Sequence, residues 1–458
     1  MTRIAAALSF LLLLGSLAGQ LRAELQVRLP EFESSHQVPT TAAPPARPGL
    51  LEGLDVAVLA VALCLASYLA LKKRSRGWLF VLMVFSLLYF GLWRGGCICP
   101  IGAIQNVSRG LFDSAYVVPL AVLAFFLLPL GFTLFFGRTF CAAVCPLGAV
   151  QDLVAFRPVK VPAWLQEALG LLSYVYLGAA VMFAAVGSAF IVCRYDPMVC
   201  LFRMAPIGKW AQALWQGQQP PGGTLGISGR ADLLLLTGAV LLIGIFVARP
   251  YCRFACPYGA ILRLLSKLSK WHVAITPDEC VKCRLCQDAC PYGAIRKPTC
   301  EPSGADRAGE RKRLAMLVLL LPVLAAAGGL LARAVSGHLA QMDYTVRLAQ
   351  RVRLEETGMV QGQTNASEAF GKTGQPRSRL YRQAVQVIDR YAIGAWLFGG
   401  FVGLVIGAKL IQLSVRRQRT DYEPDRAACL SCGRCFSYCP VELDRRKKPK
   451  AAATDEVP

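Results

Sequence analysis

The stretch CICPIGA, residues 97–103, is separated by three residues from an apolar run that ends at Trp93, and its C-P-x-G-A pattern recurs along the chain. The four copies of the pattern begin at Cys99, Cys145, Cys256 and Cys290. Proline favours the first turn of a helix, and the positive end of the helix dipole stabilises an anionic thiolate there. The pattern therefore predicts four helices, each beginning at a cysteine suited to a metal or an iron–sulphur cluster.

The composition indicates an integral membrane protein. Of 458 residues, 55% are hydrophobic and only 17% are charged, whereas soluble domains have about 25% charged residues. Several apolar runs reach the ~20 residues that cross a bilayer. We predict an α-helical membrane protein with about seven transmembrane helices. The predicted spans cover residues 53–71, 77–93, 114–136, 168–192, 231–248, 313–332 and 391–413.

The net charge of +22 is explained by the membrane. Lysine and arginine gather in short loops at helix ends, as the positive-inside rule expects. They form no face with interleaved aromatic residues, so we predict no nucleic-acid partner. The basic loops at 72–76, 311–313 and 416–419 all fall inside if the chain begins outside. We therefore predict a multi-pass protein of the bacterial inner membrane, in contact with lipid, with a cytoplasmic C-terminus.

Two cysteine runs have the spacing C-x2-C-x2-C-x3-C-P, which is typical of bacterial ferredoxins with two [4Fe–4S] clusters. In such proteins the fourth cysteine of each run ligates the cluster of the other run. One predicted ligand set is Cys280, Cys283, Cys286 and Cys439, and the other is Cys429, Cys432, Cys435 and Cys290. Two predicted spans separate the runs, so both runs emerge on one face. The sequence thus predicts a split two-cluster ferredoxin head on the cytoplasmic face.

The remaining chain divides around this head. Residues 1–23 resemble a secretory signal with a charged start and an apolar core, and an uncleaved anchor is the alternative. The predicted order then runs through a periplasmic tether at 24–52, a five-helix membrane domain at 53–270, a first ferredoxin half at 271–310, a transmembrane helix at 311–333, a periplasmic segment at 334–390, a transmembrane helix at 391–413, a second ferredoxin half at 414–445 and a tail at 446–458.

Eight further cysteines follow the membrane spans in pairs. The inner set, predicted at the cytoplasmic face, is Cys141, Cys145, Cys252 and Cys256, and the outer set, predicted at the opposite face, is Cys97, Cys99, Cys193 and Cys200. A hydrocarbon core of about 30 Å is too thick for one efficient electron hop. Centres near each face would divide it, so we predict one or two further iron–sulphur clusters there. Disulfides are the alternative for the outer set, and reactive dithiols for the inner set.

The C-x3-C-P pairs between spans, combined with a split ferredoxin, resemble the NosR/NapH-type membrane polyferredoxins. The resemblance rests on Cys141/Cys145-Pro146, Cys252/Cys256-Pro257 and the two ferredoxin runs, and it covers roughly residues 75–300 and 390–442. It implies an electron carrier between quinol or a cytoplasmic donor and a periplasmic reductase, as in the anaerobic reduction of nitrate or nitrous oxide. Residues 24–52 are too short for the outer flavin domain usual in NosR-type members, so the chain lies nearer to the NapH type.

These features favour two functions. The first is a transmembrane electron conduit, in which a cytoplasmic ferredoxin or quinol donates electrons and a periplasmic reductase or its partner accepts them. The second is a maturation factor, whose outer thiols reduce or insert a metal for a periplasmic or membrane metalloenzyme. An accessory subunit with structural clusters is a third interpretation. No catalytic residue is predicted, and an electron carrier or oxidoreductase subunit is expected rather than a stand-alone enzyme.

Overall fold

The fold is described from a computed structural model that covers residues 49–96, 99–114, 116–187, 193, 195–204, 231–275, 280–299, 307–415 and 419–447. It is mostly helical, at 74%. The predicted signal, nearly all of the tether, Cys97 and most of the tail lie outside the described residues.

Among the described residues, five helices are long and apolar enough to cross a membrane, which is consistent with a multi-pass membrane protein. These helices cover Gly49–Lys73, Arg76–Trp93, Ala163–Val186, Gly309–Ala334 and Arg377–Ser414. Two shorter apolar helices, Leu120–Phe136 and Leu235–Phe246, fall where the third and fifth spans were predicted. At 1.5 Å per residue the longer of them extends for only about 25 Å. The full count of seven spans therefore stays a prediction.

The membrane domain alternates long helices with short ones. Its helices are α1 (Gly49–Tyr68), α2 (Arg76–Ser86), α3 (Pro100–Phe112), α4 (Leu120–Phe136), α5 (Thr139–Ala143), α6 (Pro146–Val154), α7 (Ala163–Val186), α8 (Pro197–Val199), α9 (Ala231–Phe246) and α10 (Pro257–Lys267). π-Helical segments occur at Leu69–Lys73, Leu87–Trp93, Cys200–Met204 and Tyr251–Ala255. Such segments are frequent at functional sites, and two of these carry cysteines of the predicted sets.

The remaining elements build the head, two long helices and a helical segment between them. They are α11 (Leu285–Ala289), β1 (Ile295–Arg296), α12 (Arg307–Ala334), α13 (Ser336–Ala340), α14 (Tyr344–Glu356), α15 (Asn365–Lys372), α16 (Arg377–Ser414), β2 (Glu423–Pro424), a 3₁₀ turn at Arg434–Ser437 and α17 (Pro440–Lys447). The segment between the long helices forms a small core of its own, in which Leu348 and Val352 pack against Leu380.

Helices α12 and α16 pack backbone to backbone because glycines line their contact. A Cβ atom added at Gly403 would lie 2.6 Å from the carbonyl carbon of Leu324 and 2.9 Å from the Cα of Ala325. Small residues that allow such close approach are typical of helix pairs in membranes. The first ferredoxin half precedes α12 and the second follows α16, so this pair brings the two halves of the head together.

The two halves of the head are joined by a short antiparallel ladder. Strand β1 pairs with β2 in the register Ile295 to Pro424 and Arg296 to Glu423. The Arg296 guanidinium adds a salt bridge of 3.0 Å to Asp425, and the backbone N–H of Asp425 donates to the carbonyl of Ala294 at 2.7 Å. The head is thus one unit built from two distant segments of the chain.

The head rests directly on the short helices of the membrane domain. The Ser266 hydroxyl at the end of α10 donates to the Arg426 carbonyl at 2.6 Å. The Arg138 guanidinium, just before α5, donates to the Ala427 carbonyl at 3.2 Å. One buried core continues from the membrane helices to the cysteines of the head. The helices that follow the membrane cysteines therefore also carry the ferredoxin module.

Candidate functional site

Three of the four C-P-x-G-A copies begin helices, as predicted. Cys99, Cys145 and Cys256 are the N-cap residues of α3, α6 and α10, and a proline follows each cap. The sulphur of Cys99 accepts the backbone N–H of Gly102 at 3.3 Å, and Cys256 accepts that of Gly259 at the same distance. Each sulphur thus lies at the positive end of a helix dipole, which favours a thiolate.

The prediction of a helix after the fourth copy is wrong. After Cys290-Pro291 the chain makes a turn and enters β1. Gly293 has a φ of +60°, in the left-handed region that glycine adopts without strain. The turn sends the chain back to pair with β2, and this long-range pairing overrides the local helix signal.

One cavity of the head is lined by cysteines from both ferredoxin runs. Cys280, Cys283 and Cys286 of the first run surround it together with Cys439 of the second run. Burial raises the pKa of Cys286 to about 11, and the other three thiols add to that shift. We call these four residues the first cluster site. These are the four thiols that are predicted when each run gives its fourth cysteine to the cluster of the other run.

The second cluster site consists of Cys290, Cys429, Cys432 and Cys435. Burial raises the pKa of Cys429 to about 12, and the neighbouring thiols of Cys432 and Cys290 raise it further. Burial also raises the pKa of Cys435 well above its ordinary value, with the other thiols of this site contributing. Phe436, the residue after Cys435, is 1% exposed. Four thiols of both runs therefore lie close together here as well.

The donor chemistry of both sites fits a [4Fe–4S] cluster, which takes four cysteine thiolates. In the part of the chain that the structure describes, no group of three or more His, Cys, Asp or Glu side chains could hold a single metal ion.

The inner set also comes together, beneath the head. The pKa of Cys145 is well above its ordinary value because its thiol hydrogen-bonds with Cys252 and because it is buried. Burial raises the pKa of Cys256 to about 12, with Cys145 and Cys141 adding to the shift. The π-helical segment that carries Cys252 and the start of α10 thus meet the start of α6.

Buried polar side chains that the sequence analysis missed surround the inner set. The Arg138 guanidinium lies 3.7 Å from the Cys141 sulphur, and the Gln151 amide donates to the Cys252 sulphur at 3.3 Å. Arg249 donates to the carbonyl of Cys141. Among the described residues, the Nε atoms of Arg138 and Arg249 are buried without a hydrogen-bond partner. N–H donors of this kind suit the sulphurs of an anionic cluster, so the residues of the inner set also fit an iron–sulphur cluster.

The outer set is only partly brought together. Cys97 lies outside the described residues, and Cys99 and Cys200 are free thiols. Burial raises the pKa of Cys99 well above its ordinary value, and the charges of Asp196 and Cys193 raise it further. The Cys193 thiol donates to the Gln105 amide oxygen at 2.7 Å.

The predicted separation of the two sets by a full hydrocarbon thickness is wrong. The Cys99 thiol donates to one oxygen of Asp196 at 3.4 Å, and the Tyr251 hydroxyl donates to the other at 3.4 Å. Tyr251 immediately precedes Cys252 of the inner set. Asp196 is fully buried, so the loops that hydropathy assigns to the outer face fold back among the helices.

Comparison with known proteins agrees with this geometry. Residues 118–163 and 231–276, which contain the two C-x3-C-P pairs, match a family described as 4Fe-4S binding domain. Residues 273–296, which contain the first ferredoxin run, match a second family of the same description. The putative electron transport protein YccM of Escherichia coli K12 is 33% identical over 58 residues, which are 13% of this chain and 16% of YccM. The protein NirI of Paracoccus denitrificans is 28% identical over 133 residues, which are 28% of this chain and 16% of NirI.

These domain matches and relatives support a membrane polyferredoxin of the NosR/NapH type. The chain is also 33% identical to an uncharacterised protein of Methanocaldococcus jannaschii over 60 residues, 13% of this chain and 24% of that protein. The chain thus spans less than a quarter of the length of the curated relatives it matches. No solved structure matches it. The matches support iron–sulphur electron transport in a membrane.

Proposed function

We propose that this polyferredoxin carries electrons between a cytoplasmic or quinol donor and a periplasmic reductase or its partner. The observation that carries the proposal is the meeting of both ferredoxin runs in one head that rests on the inner set. The first and second cluster sites each hold one [4Fe–4S] cluster, and the inner set holds a third. These clusters supply one-electron chemistry, and the protein supplies their ligands, their hydrogen bonds and their spacing.

The proposed topology has seven spans with the head in the cytoplasm. The two long helices α12 and α16 lie between the halves of the head, so an even number of crossings returns the chain to one face. The basic loops at 72–76 and 311–313 then lie on the same side as the head. The segment at 334–390 lies in the periplasm, where it is available to the partner.

Electrons enter at the first cluster site in this proposal. Cys283 is exposed, and so are its neighbours Lys282 and Arg284. Val281 is 61% exposed, whereas Cys290 of the second cluster site is buried. An exposed apolar and basic loop around a cluster ligand suits an acidic donor protein. The electron then passes inward to the second cluster site and the inner set.

A second function, metal maturation, is favoured by the surroundings of Cys99. Its thiol and the Asp196 carboxylate lie 3.4 Å apart, with Cys193 close by. Thiolates are soft ligands that select copper(I) or zinc. In this interpretation the outer set binds a metal ion and the clusters reduce it. Rescue of the partner enzyme by added metal would favour maturation, and rescue by an artificial electron donor would favour the conduit.

The decisive experiment is the iron and acid-labile sulphide content of anaerobically purified protein. Two clusters in the head contribute about 8 iron atoms, and a third at the inner set brings the total to about 12. A Cys141→Ala variant should lose about 4 iron atoms. Cys64→Ala is the matched control, because Cys64 lies within α1, is exposed and belongs to none of the cysteine sets. About 8 iron atoms in the native protein would refute a cluster at the inner set.

A further inference from the structure

A buried arginine precedes each membrane C-x3-C-P pair at the same distance. Arg138 stands three residues before Cys141, and Arg249 stands three residues before Cys252. Their exposed fractions are 1% and 0%. Neither arginine contributed to the assignment of the cysteine sets. A repeated R-x2-C-x3-C-P pattern with both guanidinium groups buried therefore calls for an explanation of its own.

Each arginine packs against the glycine of the other repeat. A Cβ atom at Gly259 would lie 3.5 Å from Nη2 of Arg138, and one at Gly148 would lie 3.3 Å from Nη1 of Arg249. In these two C-P-x-G-A copies the glycine thus leaves room for a guanidinium group at the start of its helix. The arginine of each repeat therefore lies against the helix start of the other repeat, across the inner set.

The same two arginines reach the second cluster site. Arg138 contacts the Cys141 sulphur with Nη2, and its Nη1 donates at 3.2 Å to the carbonyl of Ala427, which stands two residues before Cys429. A guanidinium group that bridges two cysteine sites brings one positive charge close to both of them.

Arg249 makes the second connection through two side chains. Its Nη2 lies 2.7 Å from one oxygen of Asp152, and the other oxygen accepts the Tyr292 hydroxyl at 2.9 Å. Tyr292 stands two residues after Cys290 of the second cluster site, and it is 2% exposed. A continuous hydrogen-bonded chain therefore runs from that site to the carbonyl of Cys141.

Packing alone does not explain these charges. Apolar side chains of similar volume often replace a buried ion pair without loss of stability. Arg249 also has a φ of +51°, in the left-handed region that residues other than glycine seldom adopt. Buried charge and an unfavourable backbone conformation together point to a role toward the cysteine sites.

We propose that Arg138 and Arg249 are positioning residues that raise the reduction potential of the inner set and couple it to the second cluster site. This inference rests on the proposed function, because it requires a cluster at the inner set. One electron leaves the second cluster site and one arrives at the inner set, with no bond made or broken. The added negative charge develops beside two fixed guanidinium groups where water does not screen it. Asp152 offsets part of that charge.

The test is a redox titration of the purified native protein and its variants, followed by electron paramagnetic resonance. In Arg138→Gln the ratio of reduced to oxidised inner-set cluster at a fixed ambient potential should fall about tenfold, which is ~59 mV for a one-electron couple. Arg138→Lys should recover most of that fall. Asp152→Asn should shift the reduction potential of the inner-set cluster in the opposite direction, because it removes a negative charge. A loss of folding would not give shifts of opposite sign.

Lys160→Gln is the matched control, since Lys160 pairs with Asp288 on the exposed surface of the head and should leave the inner set unchanged. If Arg138→Gln and Asp152→Asn leave the reduction potential unchanged, or shift it in the same direction, the inference is overturned. The proposed electron conduit is not affected by that outcome. If Arg138→Gln does not fold, the sign of the Asp152→Asn shift decides. If the native protein has only about 8 iron atoms and no inner-set signal, the proposed cluster and this inference both fail.

Discussion

A single methyl group at Gly403 should separate the two halves of the head. In Gly403→Ala the new Cβ would lie 2.6 Å from the carbonyl carbon of Leu324. Carbon atoms pack at about 3.5 Å or more, so α12 and α16 must move apart by about 1 Å. The atom in the way belongs to the backbone and cannot rotate aside. Overpacking of this kind costs about 1–3 kcal/mol.

The matched control is Gly400→Ala on the same helix. Its Cβ would meet only the Ala325 carbonyl oxygen at 3.6 Å, an ordinary contact. We expect Gly403→Ala to unfold at lower temperature in detergent and to lose iron from the head, while Gly400→Ala behaves like the native protein. Thermal unfolding and iron content measure both effects. Equal stability and equal iron in the two variants would refute the claim that this helix contact assembles the head.

Three further predictions concern the head. Cys439→Ala and Cys290→Ala should each remove about 4 iron atoms and abolish different cluster signals in electron paramagnetic resonance; loss of the same signal in both would contradict the exchange of ligands. Limited air oxidation should release iron from the first cluster site before the second, because Cys283 is exposed, and iron release with spectra taken over time checks the order. Arg74→Ala removes the 2.8 Å salt-bridge partner of the buried Glu442, so it should destabilise α17 by about 1–3 kcal/mol. Faster proteolysis of the C-terminal segment would report this change.

Much of the head could be predicted because ferredoxin ligands follow from spacing. The C-x2-C-x2-C-x3-C-P runs predicted that Cys439 joins the first run, and in the structure it lines the same cavity as Cys280. The helix starts at Cys99, Cys145 and Cys256 follow from proline and local backbone preference, so the sequence carries them too. The turn after Cys290 depends on the pairing of β1 with β2, a strand more than a hundred residues later. The residues around Cys290 do not predict that pairing.

The membrane cysteines show what hydropathy does not predict. Hydropathy locates the ends of apolar runs, and it assigns the residues that follow them to the surface. Asp196 lies three residues after Cys193 in a segment that follows an apolar run, yet it is fully buried between Cys99 and Tyr251. Whether a polar loop folds back into a helical bundle depends on the partners it finds there. The repeated arginines were visible in the sequence, but only the structure shows what Arg138 and Arg249 contact.

The split of the ferredoxin between two membrane crossings has a consequence for assembly. In the proposed ligand sets each cluster site takes three thiols from one run and one thiol from the other. Neither site is complete until α12 and α16 have packed and β1 has met β2. The second cluster site also depends on Tyr292 and Arg138, which bind the head to the membrane domain. In the proposed function, cluster binding would therefore stabilise the inserted and folded chain as a whole, and an electron would reach the inner set only in molecules whose membrane helices are correctly paired.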